Sequence, residues 1–125
     1  MTRINCIPVE NLIDKHLIAE YMELPRISSK SRIAKDAPAE YKLGPGHMKF
    51  FYDKGEFLRR RFEEEIVPEM QRRGFKTNFT KYRMHPEGLN NDWVPTPEAI
   101  KISQERLEQR AREIKDKHEQ NTRTR

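Results

Sequence analysis

The chain is predicted to be all-α: a single compact domain of three main helices with irregular connecting loops. Three observations predict this. Apolar residues recur at three- and four-residue spacing in three separate stretches. Proline, glycine and threonine punctuate the ends of those stretches as helix starts and stops do. The stretch between the second and third, residues 75–95, has neither helical nor strand period.

The first helix is expected to begin near Pro8, a residue suited to a first helical turn. Leu12, Ile13, Leu17, Tyr21 and Leu24 form its apolar stripe, and His16, Glu20, Glu23 and Arg26 lie on another face. His16 and Glu23 are seven residues apart, nearly two turns, so one stands almost above the other. Pro25 disfavours helical geometry at Leu24 and lacks a donor, which predicts a kink or stop there. Residues 27–43 are polar, basic and weakly periodic, and read as a frayed helix end and a loop. Gly44-Pro45-Gly46-His47 reads as a tight turn that launches the second helix.

In the second helix Phe51, Phe57, Leu58, Phe62, Ile66 and Met70 form a broad apolar face. Arg59, Arg60 and Arg61 sit on the other side, followed by Glu63, Glu64 and Glu65. Gly55 and Pro68 are costly inside a helix, so a kink is expected near Pro68. Gly74 ends the helix behind Arg72 and Arg73, whose charge suits a helix C-terminus. Residues 75–95 are expected to pack over the core through Phe75, Phe79, Tyr82 and Trp93. Thr96 as N-cap, Pro97 at the first position and Glu98 in the first turn start the third helix. Ile100, Leu107, Ala111 and Ile114 carry its stripe. This places a helical domain at residues 1–115 and a charged, disordered tail at 116–125, where apolar anchors are lacking.

Composition narrows the function classes. The chain has 125 residues, 34% hydrophobic and 36% charged, which implies a small core with wide solvated faces. A formal charge of +5 favours a polyanionic partner. Cys6 is the single cysteine, which excludes a disulfide framework and a thiolate metal cluster. Apolar runs are too short for a membrane span, and no signal-peptide pattern is present. A cytoplasmic protein is expected, with no membrane partner. His16, His47, His85 and His118 are scattered, and no HxxxH or HxxE cluster suggests a metal site.

Three groups could carry chemistry. The small residue after Met1 is a cue for removal of that methionine, which would leave Thr2 with a free α-amine. Such an amine has a reference pKa of about 7.7–8.0, so part of it is unprotonated and nucleophilic at neutral pH. An amine that attacks a sugar C1′ forms an imine, which activates the neighbouring C–H for β-elimination. Thr2 could supply the amine, Glu23 the carboxylate, and Arg3 and Arg26 the cations for flanking phosphates. On pattern alone, a glutamate and an arginine on a helix face are also an ordinary solvated surface. His16 reads either as a proton carrier or phosphate donor beside Glu23, or as a surface histidine. Two basic groups could track a phosphate backbone: Arg59 to Arg61, and Arg72, Arg73, Lys76, Lys81 and Arg83. The second has less acid nearby and is the better candidate.

Several blocks of the sequence resemble the pyrimidine dimer DNA glycosylase family. They are MTRIN at 1–5, HLIAEYMELPR at 16–26, LGPGHMKFFYDK at 43–54, EFLRRR at 56–61, RRGF at 72–75 and AIKISQERL at 99–107. The resemblance implies a small all-α DNA repair enzyme, with no metal and no organic cofactor. It would excise the 5′ base of an ultraviolet-induced cyclobutane pyrimidine dimer and nick the strand at the abasic site. It implies Thr2 as nucleophile through its α-amine and Glu23 as the essential carboxylate. Arg3, His16, Tyr21 and Arg26 match DNA-contacting positions. The partner would be double-stranded DNA with ultraviolet lesions or abasic sites, met by a monomer in the cytoplasm of a bacterial or phage-infected cell. Met22 and Lys15 depart from a well-known member, which has arginine and glutamine there, and the last residues lack that member's aromatic tail. An abasic-site lyase without dimer specificity and a non-catalytic helical DNA-binding module are the alternatives.

Overall fold

The computed structural model describes residues 4–31, 41 and 47–123. In chain order its elements are a 3-10 turn Val9–Asn11, α1 Asp14–Glu23, α2 Arg26–Ser31, a 3-10 turn Lys49–Phe51, α3 Gly55–Arg60, a π-helical turn Arg61–Ile66, α4 Val67–Arg72 and α5 Pro97–Arg123. The fold is all-α, and among the described residues one isolated antiparallel bridge, Lys54 to Asn90, is the extent of β pairing. The described chain gathers into two units. One holds Ile4 and Pro8–Val94, the other Asn5–Ile7 and α5. Among the described residues no helix is long and apolar enough to cross a membrane.

In the first unit the opening helix starts later than the position of Pro8 predicts. Pro8 leads only into the 3-10 turn, and Leu12 and Ile13 are extended, with ψ of 136° and 158°. The helix begins at Asp14, whose carboxylate suits the positive end of the helix dipole. Ile13 is therefore not in the apolar stripe but exposed. Pro25 kinks the chain without stopping it. Leu24 keeps helical angles and donates its N–H to the Glu20 carbonyl at 2.9 Å, and α2 follows at once. Leu24 and Ile27 are both fully buried, so packing on each side of the proline holds the chain helical against its local preference.

The second helical run starts at Gly55, not at His47. Gly55 is an N-terminal residue of α3, and its lack of a side chain has a cause. A Cβ there would lie 2.0 Å from Asn90 Oδ1, so only glycine lets the 85–91 loop close on the helix start. That loop supplies acceptors to otherwise orphaned helix donors: Gly55 N–H to Leu89 O at 3.0 Å and Phe57 N–H to Asn91 O at 3.3 Å. The irregularity expected at Pro68 appears one turn earlier. The Arg61–Ile66 turn is π-helical, with the Val67 N–H bonded to Phe62 O, five residues back. Pro68 has no N–H and its ring crowds the Glu64 carbonyl, and the wider turn relieves both. Gly74, with φ of 86°, closes α4 in a Schellman motif: Phe75 N–H bonds Met70 O at 2.9 Å and Gly74 N–H bonds Gln71 O at 3.0 Å.

Leu17, Tyr21, Leu24, Phe51, Leu58, Phe62, Ile66 and Met70 are buried in this unit, where α1 packs on the π-helical turn and on α4. Trp93 stands edge-on to Phe50 and Phe57, with centroids at 4.9 Å and 5.1 Å. Tyr82 is buried, with its hydroxyl 2.6 Å from His85 Nε2, while His85 Nδ1 lies 2.8 Å from the Tyr52 carbonyl. A carbonyl can only accept, so Nδ1 carries the proton and Nε2 accepts from the phenol.

In the second unit Thr96 Oγ1 accepts the Ala99 N–H at 3.1 Å, as an N-cap should. The buried positions of α5 are Ala99, Ser103 and Leu107, four residues apart, while Ile100 of the predicted stripe is exposed. Ser103 Oγ accepts the Cys6 N–H at 3.2 Å, which ties the 5–7 segment to the helix. The helix continues past Asp116, where a disordered tail is predicted, to Arg123. Its lysine, glutamate and glutamine are good helix formers, and a lack of apolar anchors in the sequence is not a lack of helix propensity.

Candidate active site on the first helix

Glu20, Tyr21 and Glu23 share the last two turns of α1 but face different surroundings. Leu17, Glu20, Tyr21 and Leu24 have spacings of three, one and three residues, so Glu20 belongs to the inward stripe and not to the solvated face. It is buried and takes both Nε and Nη2 of Arg61, the latter at 3.2 Å. Arg61 is itself buried at the π-helical turn. A bidentate guanidinium–carboxylate pair fixes distance and rotation together, so it sets the register of α1 on the second helical run.

Tyr21 is buried as well. Its hydroxyl donates to Phe79 O at 2.9 Å and accepts Phe79 N–H at 3.2 Å, and the two rings stack at 4.5 Å with planes 5° apart. Phe62 lies parallel to both rings. The loop that carries Phe79 is therefore latched to α1 through two backbone bonds and a stacked pair.

Glu23 ends α1 half-buried, and Arg26 opens α2 exposed. Among the described residues neither side chain has a hydrogen-bonded or ionic partner. A carboxylate in that position is free to meet a ligand. His16 is half-buried, two turns before Glu23. Thr2 and Arg3 lie outside the described residues, as do Gly44 to Gly46. The first described residue, Ile4, is fully buried and held at both ends. Its N–H donates to His47 Nε2 at 2.9 Å, and its carbonyl accepts the Tyr41 hydroxyl at 3.2 Å. His47 must therefore present an unprotonated Nε2.

The basic groups divide differently from their sequence neighbourhoods. Arg59 bonds Glu56, Glu63 and Glu64, Arg60 bonds Asp92 at 2.6 Å, and Arg61 bonds Glu20. Arg72 and Arg73, placed in the better DNA candidate, are also paired. Both bond Glu69, and Arg73 reaches Asp14 at 2.9 Å. The Glu69 carboxyl is held down at about 2 by those two guanidinium groups. Lys76, Lys81 and Arg83 are exposed and lack an ion pair among the described residues. The proximity of acids in sequence misses Glu69 because it reaches forward by three and four residues along one helix face. Lys15 and Arg26 are exposed in the same way on α1 and α2.

Sequence reading missed the roles of Glu20 and Arg61 in this region. Glu20 could have been found from its place between Leu17 and Leu24, whereas Arg61 had no such signal, because a π-helical turn decides where it points. Phe79 was expected to pack over the core and instead stands 39% exposed, stacked on Tyr21. Among the described residues no group of three or more His, Cys, Asp or Glu could hold a metal ion. The unpaired carboxylate of α1 and the unpaired cations of α1 and α2 are compatible with an enzyme that handles a phosphate backbone. A sequence profile described as pyrimidine dimer DNA glycosylase matches residues 1–83, which span the anchored Ile4, the whole of α1 to α4 and the loop carrying Phe79. With that match over 83 of 125 residues, the chain belongs to the pyrimidine dimer DNA glycosylase family, a family of DNA repair enzymes.

Proposed function

We propose that the chain removes the 5′ base of cyclobutane pyrimidine dimers in duplex DNA and then cuts the strand as an abasic-site lyase. Once Met1 is removed, the Thr2 α-amine attacks C1′ of the damaged nucleotide. The N–C1′ bond forms, the glycosidic bond breaks, and the 5′ base, detached from its sugar, takes up a proton while it stays joined to its 3′ neighbour through the cyclobutane ring. Opening of the sugar ring gives a protonated imine. Its positive charge acidifies C2′–H, and loss of that proton expels the 3′ phosphate by β-elimination. Glu23 faces the cation that develops at the sugar, stabilises it and relays the C2′ proton. Arg3 and Arg26 bind flanking phosphates, with His16 as a further contact, and Tyr21 acts by supporting the adjacent surface. The enzyme works as a monomer on cytoplasmic DNA and needs no cofactor.

The observation that carries this reading is Glu23, half-buried and unpaired among the described residues beside an equally unpaired Arg26. A mere DNA-binding module has no use for a free carboxylate where phosphates approach, since like charge lowers affinity there. Ile4, two residues after Thr2, is pinned by His47 and Tyr41, and two residues reach at most about 7 Å.

A second reading, an abasic-site lyase without dimer specificity, draws support from Met22. It is exposed where a cation would add a phosphate contact. Borohydride trapping tests both. Native protein, incubated with reductant and dimer-containing or abasic duplex, should give a covalent adduct with each. An adduct on abasic duplex alone selects the second reading. Adducts that survive acetylation of the terminus, or none at all, refute the Thr2 mechanism. Glu23→Gln should bind damaged duplex and cleave it at least 100-fold more slowly, in line with loss of an acid–base group.

A further inference from the structure

We propose that the exposed stripe of α1 meets the damaged duplex through an apolar contact, with Met22 entering the base stack at the lesion and Phe79 lying against the neighbouring base or sugar. This rests on the reading that the site works on damaged DNA. It adds which side chains occupy the disturbed stack.

Ile18 is 36% exposed, Met22 48% and Phe79 39%. They are not scattered. Ile18 and Met22 are four residues apart and stand one above the other on α1. Phe79 is fastened to Tyr21, the residue between them in the sequence, by two hydrogen bonds and a stack. The stripe has a cation at either end. Lys15 stands three residues before Ile18 and Arg26 four residues after Met22, both exposed and without an ion pair among the described residues. Eleven residues at helical rise would separate them by about 16 Å on a straight axis, and the kink at Pro25 shortens this, so they span at most roughly five base steps at about 3.4 Å per phosphate along one strand. Lys76, Lys81 and Arg83 extend the positive rim along the Phe79 loop.

An apolar strip bounded by free cations has one well-matched polyanion: a duplex whose phosphates meet the cations and whose opened base step accepts an apolar wedge. Methionine and phenylalanine serve as such wedges, partly unstacking a step to bend the helix. Met22 is adjacent to Glu23, about 100° around the helix, so with the carboxylate at the sugar the thioether faces the next step of the same stack. A flexible, polarisable side chain suits a gap whose shape varies with the lesion.

The test uses native protein and a duplex with a tetrahydrofuran abasic analogue, which cannot form an imine, with 2-aminopurine in the complementary strand at the lesion. Native protein should raise 2-aminopurine fluorescence. Met22→Ala should cut that rise at saturation and weaken binding about tenfold, in the range of one lost base–side-chain stack, with an unchanged slope of affinity against salt. Lys15→Ala should instead lower the salt slope by about 0.9 and keep the fluorescence at saturation. The proposal is overturned if Met22→Ala binds and unstacks as native protein does. It is equally overturned if sedimentation shows a native dimer that Met22→Ala disperses, which makes a second copy the occupant. Borohydride trapping separates this from the catalytic reading. A Met22-dependent signal without trapping leaves the stripe standing and the lyase refuted. Trapping with a Met22-independent signal does the reverse.

Discussion

Glu20→Gln tests whether the register of α1 depends on a buried ion pair. The Glu20 side chain is fully buried and that of Arg61 is 4% exposed, and the guanidinium engages both carboxylate oxygens. The substitution keeps the shape of residue 20 and leaves the buried Arg61 guanidinium facing a neutral amide. Breaking such a pair costs about 3–5 kcal/mol, a large part of the roughly 5–15 kcal/mol by which a domain is stable. With a urea slope of about 1.5 kcal/mol/M, the unfolding midpoint should fall by about 2–3 M. The single tryptophan, Trp93, set edge-on among phenylalanines, gives the fluorescence signal. Glu20→Leu combined with Arg61→Met removes both charges. It should recover most of the loss, since apolar replacement of a whole buried pair is often neutral or stabilising. The double variant should also still trap on borohydride, because the pair positions the helix and touches no reacting atom. A midpoint for Glu20→Gln within about 0.5 M of native protein would refute the reasoning, since the pair would then be solvated or replaceable.

Two further outcomes follow from the second helical run. Gly55→Ala should cost about 1–3 kcal/mol, because its Cβ would displace Asn90 and break the bonds from His85 N–H and to His85 O at 2.8 Å and 2.9 Å; thermal melting checks this, and an unchanged melting temperature refutes the close approach. Glu69 has a folded-state pKa of about 2 against an ordinary value of 4.5, so its contribution is complete above about pH 5 and is lost as pH falls through 4.5 towards 2. Urea midpoints should therefore decline in that window, helped by Glu56 and Asp92, which Arg59, a backbone N–H and Arg60 also hold low. Glu69→Gln should flatten the decline, and an equally steep decline in that variant counts against the pairing with Arg72 and Arg73.

The helices were legible because burial and propensity act locally. Six apolar residues from Phe51 to Met70 read as one face, and all six are buried. Thr96 and Pro97 read as a helix start because capping involves only a few neighbouring residues. What failed was set by distant parts of the chain. Gly55 reads as a defect until Asn90 is seen against it. Arg72 and Arg73 read as free cations, and charge counting along the sequence did not reveal that one carboxylate, Glu69, satisfies both. Leu24 keeps helical angles before a proline because Ile27 beyond it is also buried, which no dipeptide rule contains. Of the expected site, the unpaired state of Glu23 and Arg26 was invisible in the sequence. Free and paired charges look alike until their neighbours are placed.

That last distinction explains how a chain so rich in charge can present a selective surface. The arginines of the second helical run are each paired with a glutamate or an aspartate, on the same run, on α1 or in the loop at Asp92, and their fields are largely cancelled. Lys15 and Arg26 on the first two helices, and Lys76, Lys81 and Arg83 on the latched loop, are not cancelled in this way. If the first unit binds a phosphate backbone as proposed, those unpaired cations, and not the densest run of arginines, are the charges left to attract it. A carboxylate such as the half-buried Glu23 would ordinarily weaken such binding. It is tolerable if the reaction places positive charge next to it, since an interaction made only as charge develops favours the transition state over the bound ground state. The pair Glu20–Arg61 then has a role beyond stability. By fixing the rotation of α1, it decides that Glu20 turns inward while Glu23, three residues on, stays available.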